Sequence, residues 1–284
     1  MLINQQKALV LGGGGFAASS WSTGLIIGMA DAGVDVRDAD VIIGTSSGGR
    51  VALQLVSNAP LEEIFEQQVT VASRVARPAT NVDWSRLQRE IAHAKALGGE
   101  RTDILKRIGA LALANGGPDR RALVASQLPM QNWPERRVLF TALNAETGLR
   151  RAFDRESGID LVDALMATTA FFGCPPVWFE GAPYIDGGFH SSDNADLSAG
   201  YAKVLVLALN PPPGAMKLVP LEDGVADLRA TGAEVVVIQP DEEATEAIAS
   251  GGTPMNPAIC EPATRAGRAQ GRRVVQARGT TGWW

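Results

Sequence analysis

Short apolar runs recur at Ala8–Leu11, Val41–Ile43, Val138–Leu143, Val204–Leu209 and Val235–Ile238, separated by longer stretches with helical periodicity. Strand-type runs alternating with helices predict an α/β fold with a mostly parallel sheet covered on both faces. Such a sheet binds ligands at the carboxyl ends of its strands. Between the first two runs the pattern predicts a helix over Ser20–Ala32, stopped by Gly33, with Gly24 and Gly28 allowing close approach of a neighbour.

Three helical stripes fill the middle, about residues 60–135: Leu61, Ile64, Phe65 and Val69; Trp84, Leu87 and Ile91; Ile104, Leu105, Ile108 and Leu111. They read first as faces covering the core, and second as a cap over a hydrophobic substrate groove. Asn210–Gly214, with three successive prolines, predicts a rigid loop after a strand, and residues 240–257 a short helical stretch among turns. Neither marks a boundary, so the expectation is one domain over residues 1–284.

Composition changes this picture little. With 45% hydrophobic and 20% charged residues the chain is neither disordered nor fibrous, and a net charge of −5 argues against a nucleic-acid partner. No apolar stretch approaches the ~20 residues that span a bilayer, so membrane contact is expected only at the periphery. The start lacks a secretory pattern, and Cys174 and Cys260 form neither a disulfide framework nor a metal cluster. The expectation is a cytoplasmic protein without metal or cofactor.

The sharpest chemical signal is Gly44-Thr45-Ser46-Ser47-Gly48, entered by the Val41–Ile43 run and left by a helical pattern. A tight strand-to-helix turn thrusts its central side chain into the cleft, and the flanking glycines avoid the neighbouring backbone. Ser46 is therefore the candidate nucleophile, and the Ser47 amide a candidate donor to the negative charge formed when Ser46 attacks a carbonyl.

A second signal, Gly12-Gly13-Gly14-Gly15, directly follows the first strand and leaves backbone amides uncovered. It reads as an oxyanion loop, with Gly13, Gly14 and Gly15 as donors. It also reads as a dinucleotide fingerprint, Gly13-x-Gly15-x-x-Ala18, with Asp31, Asp35 or Asp38 as the ribose-binding acid. Its position ahead of the Ser46 turn favours the former. The third signal is Asp186-Gly187-Gly188. The chain holds two histidines, His93 inside a helical pattern and His190 just beyond Asp186, and neither is an obvious triad member. A serine hydrolase so poor in histidine points to a Ser–Asp dyad, in which the carboxylate takes the serine proton directly.

The ordered set of Gly12–Gly15, Gly44–Gly48 and Asp186–Gly188 resembles the patatin-like phospholipases. Ala164–Ala170 followed by Pro175-Pro176-Val177, and the Ala202–Leu209 strand, are similar to that family's later blocks. The resemblance implies a three-layer α/β/α fold and a serine acyl hydrolase acting on a lipid ester, with Ser46 as nucleophile and Asp186 as base. It implies an oxyanion hole from Gly13–Gly15 and Ser47. It also implies a basic residue just after the glycine run, where this chain has Phe16-Ala17-Ala18, and a proline where it has Phe172. Acyl transfer by the same dyad, a non-catalytic lipid-binding relative and a nucleotide-binding protein are the other readings. The stretch Glu261–Trp284 sets Arg265, Arg268, Arg272, Arg273 and Arg278 against one acid and ends in two tryptophans. It reads as a solvated helix face with a frayed tail, or else as a surface for anionic lipid.

Overall fold

The computed structural model describes residues 3–74, 84–210 and 218–284. In chain order its elements are β1 (Ile3–Leu11), α1 (Gly15–Asp31), β2 (Val41–Gly44), α2 (Ser47–Leu55), α3 (Leu61–Val69), α4 (Val71–Arg74), α5 (Trp84–Ala96), α6 (Arg101–Ala114) and α7 (Arg121–Ser126). There follow β3 (Arg137–Asn144), β4 (Arg150–Phe153), α8 (Leu161–Thr168), β5 (Val177–Phe179), β6 (Ala182–Asp186), β7 (Tyr201–Leu207), α9 (Leu221–Ala230), β8 (Glu234–Ile238), α10 (Glu242–Ala249) and α11 (Cys260–Arg278). All five expected strands are present. The proline loop expected at Asn210–Gly214 lies, beyond Asn210, outside the described residues.

The strands form one sheet in the order β5-β6-β3-β2-β1-β7-β8, with β4 also paired to β3. Strands β3, β2, β1, β7 and β8 run parallel, while β4, β5 and β6 make an antiparallel margin. Alternate residues of a strand face opposite sides of the sheet, which sorts the core into layers. Leu9, Leu11, Ile42, Phe140, Leu205 and Leu207 pack beneath α1, α2, α8 and α11. Ala8, Val10, Ile43, Val204 and Val206 face Leu221, Val225 and Leu228 of α9.

Helix α1 starts at Gly15, five residues ahead of the expected Ser20. Every residue from Ala17 to Met29 is buried, so the helix has no polar face and its start carries no periodic signal. The buried Ser19 and Ser22 hydroxyls donate to carbonyls one turn back, at Gly15 and Ala18. The close approach expected at Gly24 and Gly28 is made with α11: a Cβ at either would stand 2.0 Å from the carbonyl oxygen of Thr264 or Arg268.

The middle stripes cover the core. Ile64, Phe65 and Val69 pack on Ile27, while Leu87, Ile91, Leu105 and Ile108 join Leu143, Phe172, Ile185 and Phe189. The C-terminal tail is anchored rather than frayed. Trp283 is buried, Trp284 Nε1 donates to Asp38 at 2.7 Å, and the α11 arginines are engaged at home. Arg268 and Arg272 hold Asp31, Arg273 holds Asp241, and Arg265 holds Glu261. Among the described residues no helix is long and apolar enough to cross a membrane.

Candidate active site

The glycine run and the Ser46 turn leave adjacent parallel strands at the same edge. Leu11 pairs with Gly44, the Thr45 amide donates to the Leu11 carbonyl at 3.0 Å, and the Gly12 amide donates across to Leu207 of β7 at 2.9 Å. Gly48 is required there, because a Cβ on it would lie 2.2 Å from the Leu11 carbonyl oxygen. Ser46 itself has φ 55° and ψ −122°, a conformation that L-residues rarely adopt, and it caps the N-terminus of α2. The Thr168 hydroxyl at the end of α8 holds this strained turn by accepting the Ser46 amide at 2.9 Å. Strain of this kind, of order 1–3 kcal/mol, persists only where the surroundings over-determine it.

Strand β6 brings Asp186 to the same level. In β3, Phe140 pairs with Gly44 and Ala142 with Asp186, so two residues beyond Gly44 the chain stands opposite the carboxylate. Asp186 is 1% exposed. Its Oδ1 accepts the Gly188 amide at 2.8 Å, and the Ser46 side chain stands near enough to the carboxylate to favour its ionised form. Burial pushes its pKa up to about 6; the nearby Ser46 side chain, the bond from the Gly188 amide and the charge of Arg120 oppose the rise. The Asp186 amide donates to the Ala170 carbonyl at 3.1 Å, and just beyond Ala170 the rings of Phe171 and Phe172 pack with Phe189. Phe172, at the position of the implied proline, belongs to that aromatic cluster.

The segment after Asp186 locks the two turns together. The buried Asn194, in the left-handed region at φ 54°, directs its amide nitrogen at Thr45 Oγ1 (3.0 Å), Thr141 Oγ1 (3.3 Å) and the Ser191 carbonyl (2.7 Å). The Gly13 amide, expected to face the oxyanion, donates to the Ser192 carbonyl at 2.7 Å. The remaining glycine-run donors, Gly14 and Gly15, stand at the N-terminus of α1, and Ser47 is the first residue of α2. Amides in a first turn have no carbonyl four residues back, and both helix dipoles aim their positive ends here. The motif thus brings together Ser46, Asp186, Gly14, Gly15, Ser47, Gly44, Gly48, Gly187 and Gly188. Asn194 is an addition that the sequence did not flag, and Thr168, within the Ala164–Ala170 block, takes a role at the Ser46 turn that the sequence did not assign to it.

Among the described residues neither histidine is hydrogen-bonded to Ser46 or Asp186, although His190 neighbours Asn194. His93 is exposed on α5. His190 Nδ1 is buried without a hydrogen-bond partner, and burial, with Arg150 nearby, pushes its pKa down to about 4, so the ring is neutral at pH 7. A dinucleotide site would need an acid at the carboxyl end of β2, and that place holds the Ser46 turn. Asp35 and Asp38 instead precede β2, Asp31 ends α1, and all three are paired to basic residues. None of the three acids is placed to bind a ribose after β2.

A family model described as Patatin-like phospholipase matches residues 9–198, from β1 through the Asn194 segment. The chain belongs to the patatin-like phospholipase family. No curated protein sequence matches it. Among solved structures it is similar to type III effector protein ExoU (TM-score 0.41, 14% identity, 94% of this chain and 53% of that one). ExoU of Pseudomonas aeruginosa in complex with SpcU is similar too (TM-score 0.40, 16% identity, 94% and 53%). VipD from Legionella pneumophila gives TM-score 0.51 at 11% identity over 96% of this chain and 67% of that one. This chain spans about half the length of the ExoU chains, and at these identities the likeness to VipD concerns the fold.

Proposed function

We propose that this protein hydrolyses a carboxylic ester of a lipid. The Ser46 hydroxyl attacks the ester carbonyl as Asp186 accepts its proton, and the amides of Gly14, Gly15 and Ser47 stabilise the oxyanion. The alcohol leaves with a proton returned from Asp186. Water, deprotonated by the same carboxylate, then releases the fatty acid from Ser46. The observation carrying this reading is the placement of a serine, on a strained turn, beside a buried carboxylate with pKa near 6. A base of that pKa is largely ionised at pH 7 yet strong enough to share a proton in the transition state, which offsets the intrinsic weakness of a carboxylate. Membership of the patatin-like phospholipase family supports a lipid as the acyl donor.

Incubation with a phospholipid, a lysophospholipid and a monoacylglycerol in ¹⁸O-water tests the reaction. Hydrolysis puts one ¹⁸O into the released fatty acid and forms no new ester. Appearance of the acyl group on an added alcohol, without free fatty acid, would replace hydrolysis by acyl transfer. Retention of lipid with neither product would make the protein a binder.

A further inference from the structure

Two arginines flank the catalytic turn, and among the described residues neither forms an ion pair with a carboxylate. Arg50 lies on α2, four residues beyond Ser46 and so about one helical turn along it. Helical side chains lean toward the N-terminus of their helix, which here is Ser46. Arg50 makes no hydrogen bond and no ion pair among the described residues. Arg120 immediately precedes α7 and reaches the end of α8, the helix whose Thr168 holds the Ser46 amide. Its Nη2 donates to the Met166 carbonyl (3.0 Å), the Thr169 carbonyl (2.8 Å) and Thr169 Oγ1 (2.9 Å). Its Nε is buried with no partner.

The two guanidinium groups are close enough to disturb one another. Burial pushes the Arg50 pKa down to about 10, with the charge of Arg120 as the next cause. Cys174 lies within reach of both charges, but burial raises its thiol pKa, so it supplies no counter-charge. The carboxylate that feels the charge of Arg120 is Asp186, which makes no ion pair with it and must shuttle a proton in the proposed reaction. Desolvated cations are ordinarily paired, because leaving them unpaired is costly. Two forked guanidinium groups, one of them with an unpartnered Nε, match the tetrahedral oxygens of a phosphate. The carboxylate formed in the reaction arises at Ser46 itself. A second anionic group displaced from the reacting carbonyl is what a phosphate on the alcohol part of the lipid provides.

We infer that Arg50 and Arg120 form a binding site for the phosphate of a glycerophospholipid whose acyl ester is delivered to Ser46. The inference rests on Ser46 being the nucleophile of a lipid esterase. The arginine pair then selects phosphate-bearing lipids over neutral ones, and Arg120 carries a second, structural duty at the end of α8. Neither arginine contacts the proton in flight.

The test compares kcat/KM for a lysophospholipid and a monoacylglycerol with the same acyl chain, in the parent and in Arg50→Gln. A lost charge-assisted contact corresponds to about 10- to 100-fold on the lysophospholipid, chiefly in KM, and the loss there should exceed that on the neutral lipid by at least about tenfold. Arg50→Lys should recover part of it. A loss of equal size on both lipids, or none on the lysophospholipid, overturns the inference. A second measurement stands apart from turnover. Inorganic phosphate should raise the Tm of the parent by mass action, and this increment should vanish in Arg50→Gln. In phosphate-free buffer the Tm of Arg50→Gln should match or exceed that of the parent, since an unpaired desolvated cation has been removed. A phosphate increment that survives in Arg50→Gln contradicts the site. If no lipid is cleaved and Ser46 resists active-site reagents, the esterase reading fails separately, while the phosphate shift still decides the arginine pair.

Discussion

Ser46→Ala should lower ester hydrolysis by at least about 10³-fold without disturbing the fold, measured as kcat on a short-chain ester beside circular dichroism. The reason is local. The side chain of Ser46 stands beside Asp186, and its removal takes away the attacking oxygen while the backbone anchor to Thr168 remains. The same turn yields a stability comparison. Glycine adopts φ 55° without steric cost, so Ser46→Gly should be equally inactive but higher in Tm than Ser46→Ala. Retained turnover in Ser46→Ala would remove this serine from the mechanism. Equal stability of the glycine and alanine variants would mean that the turn stores no strain.

Asp186→Asn should be nearly inactive and, above pH 6, more stable than the parent. The amide keeps the shape but cannot take the serine proton at neutral pH. In the parent, kcat/KM should rise with pH through about 6 as Asp186 ionises, and the variant's residual activity should lack that limb. The stability prediction has the opposite sense to that of a salt-bridged carboxylate. The folded pKa of about 6 lies above the ordinary value of 3.8, so between these values the folded state holds a proton that the unfolded chain has released. Stability therefore falls as pH rises through this window, by on the order of 2–3 kcal/mol at pH 7 and above. Asparagine removes that loss: the Tm of the variant should exceed that of the parent at pH 8, and the gap should close by pH 4. The double variant His93→Ala, His190→Ala should stay within about tenfold of the parent, because neither ring joins Ser46 or Asp186. Loss of three or more orders of magnitude in folded His190→Ala and His190→Asn would transfer the role of base to His190.

Much of this arrangement was legible in the sequence because it is local. The glycine run, the strand–Gly-x-Ser-x-Gly–helix turn and Asp186-Gly187 each carry their signal within a few residues. The parallel strands were legible because strands buried on both faces are apolar throughout, as at Val41–Gly44. The unrecognised parts depend on contacts between distant positions. The amide of Ser46 rests on Thr168 across 122 residues, and Thr45 meets Asn194 across 149. Neither threonine nor asparagine announces such a role in its own neighbourhood. The Gly13 amide was assigned to the oxyanion because nothing in the glycine run reveals that Ser192 will fold back over it. The start of α1 was missed for the contrary reason: a helix buried all round has no polar face to mark it. The C-terminal arginines were read as solvated because their partners, Asp31 and Asp241, lie elsewhere in the chain.

The central claim is that Ser46 is a nucleophile activated by Asp186. It is tested most directly by treating the folded protein with a fluorophosphonate and mapping the adduct by peptide mass spectrometry. The account predicts a single covalent adduct on Ser46, absent in Ser46→Ala, formed at least about 100-fold more slowly in Asp186→Asn, and unaffected in rate by removal of both histidines. A folded preparation that takes up no label, or takes it up at another residue while Ser46 remains free, would contradict it.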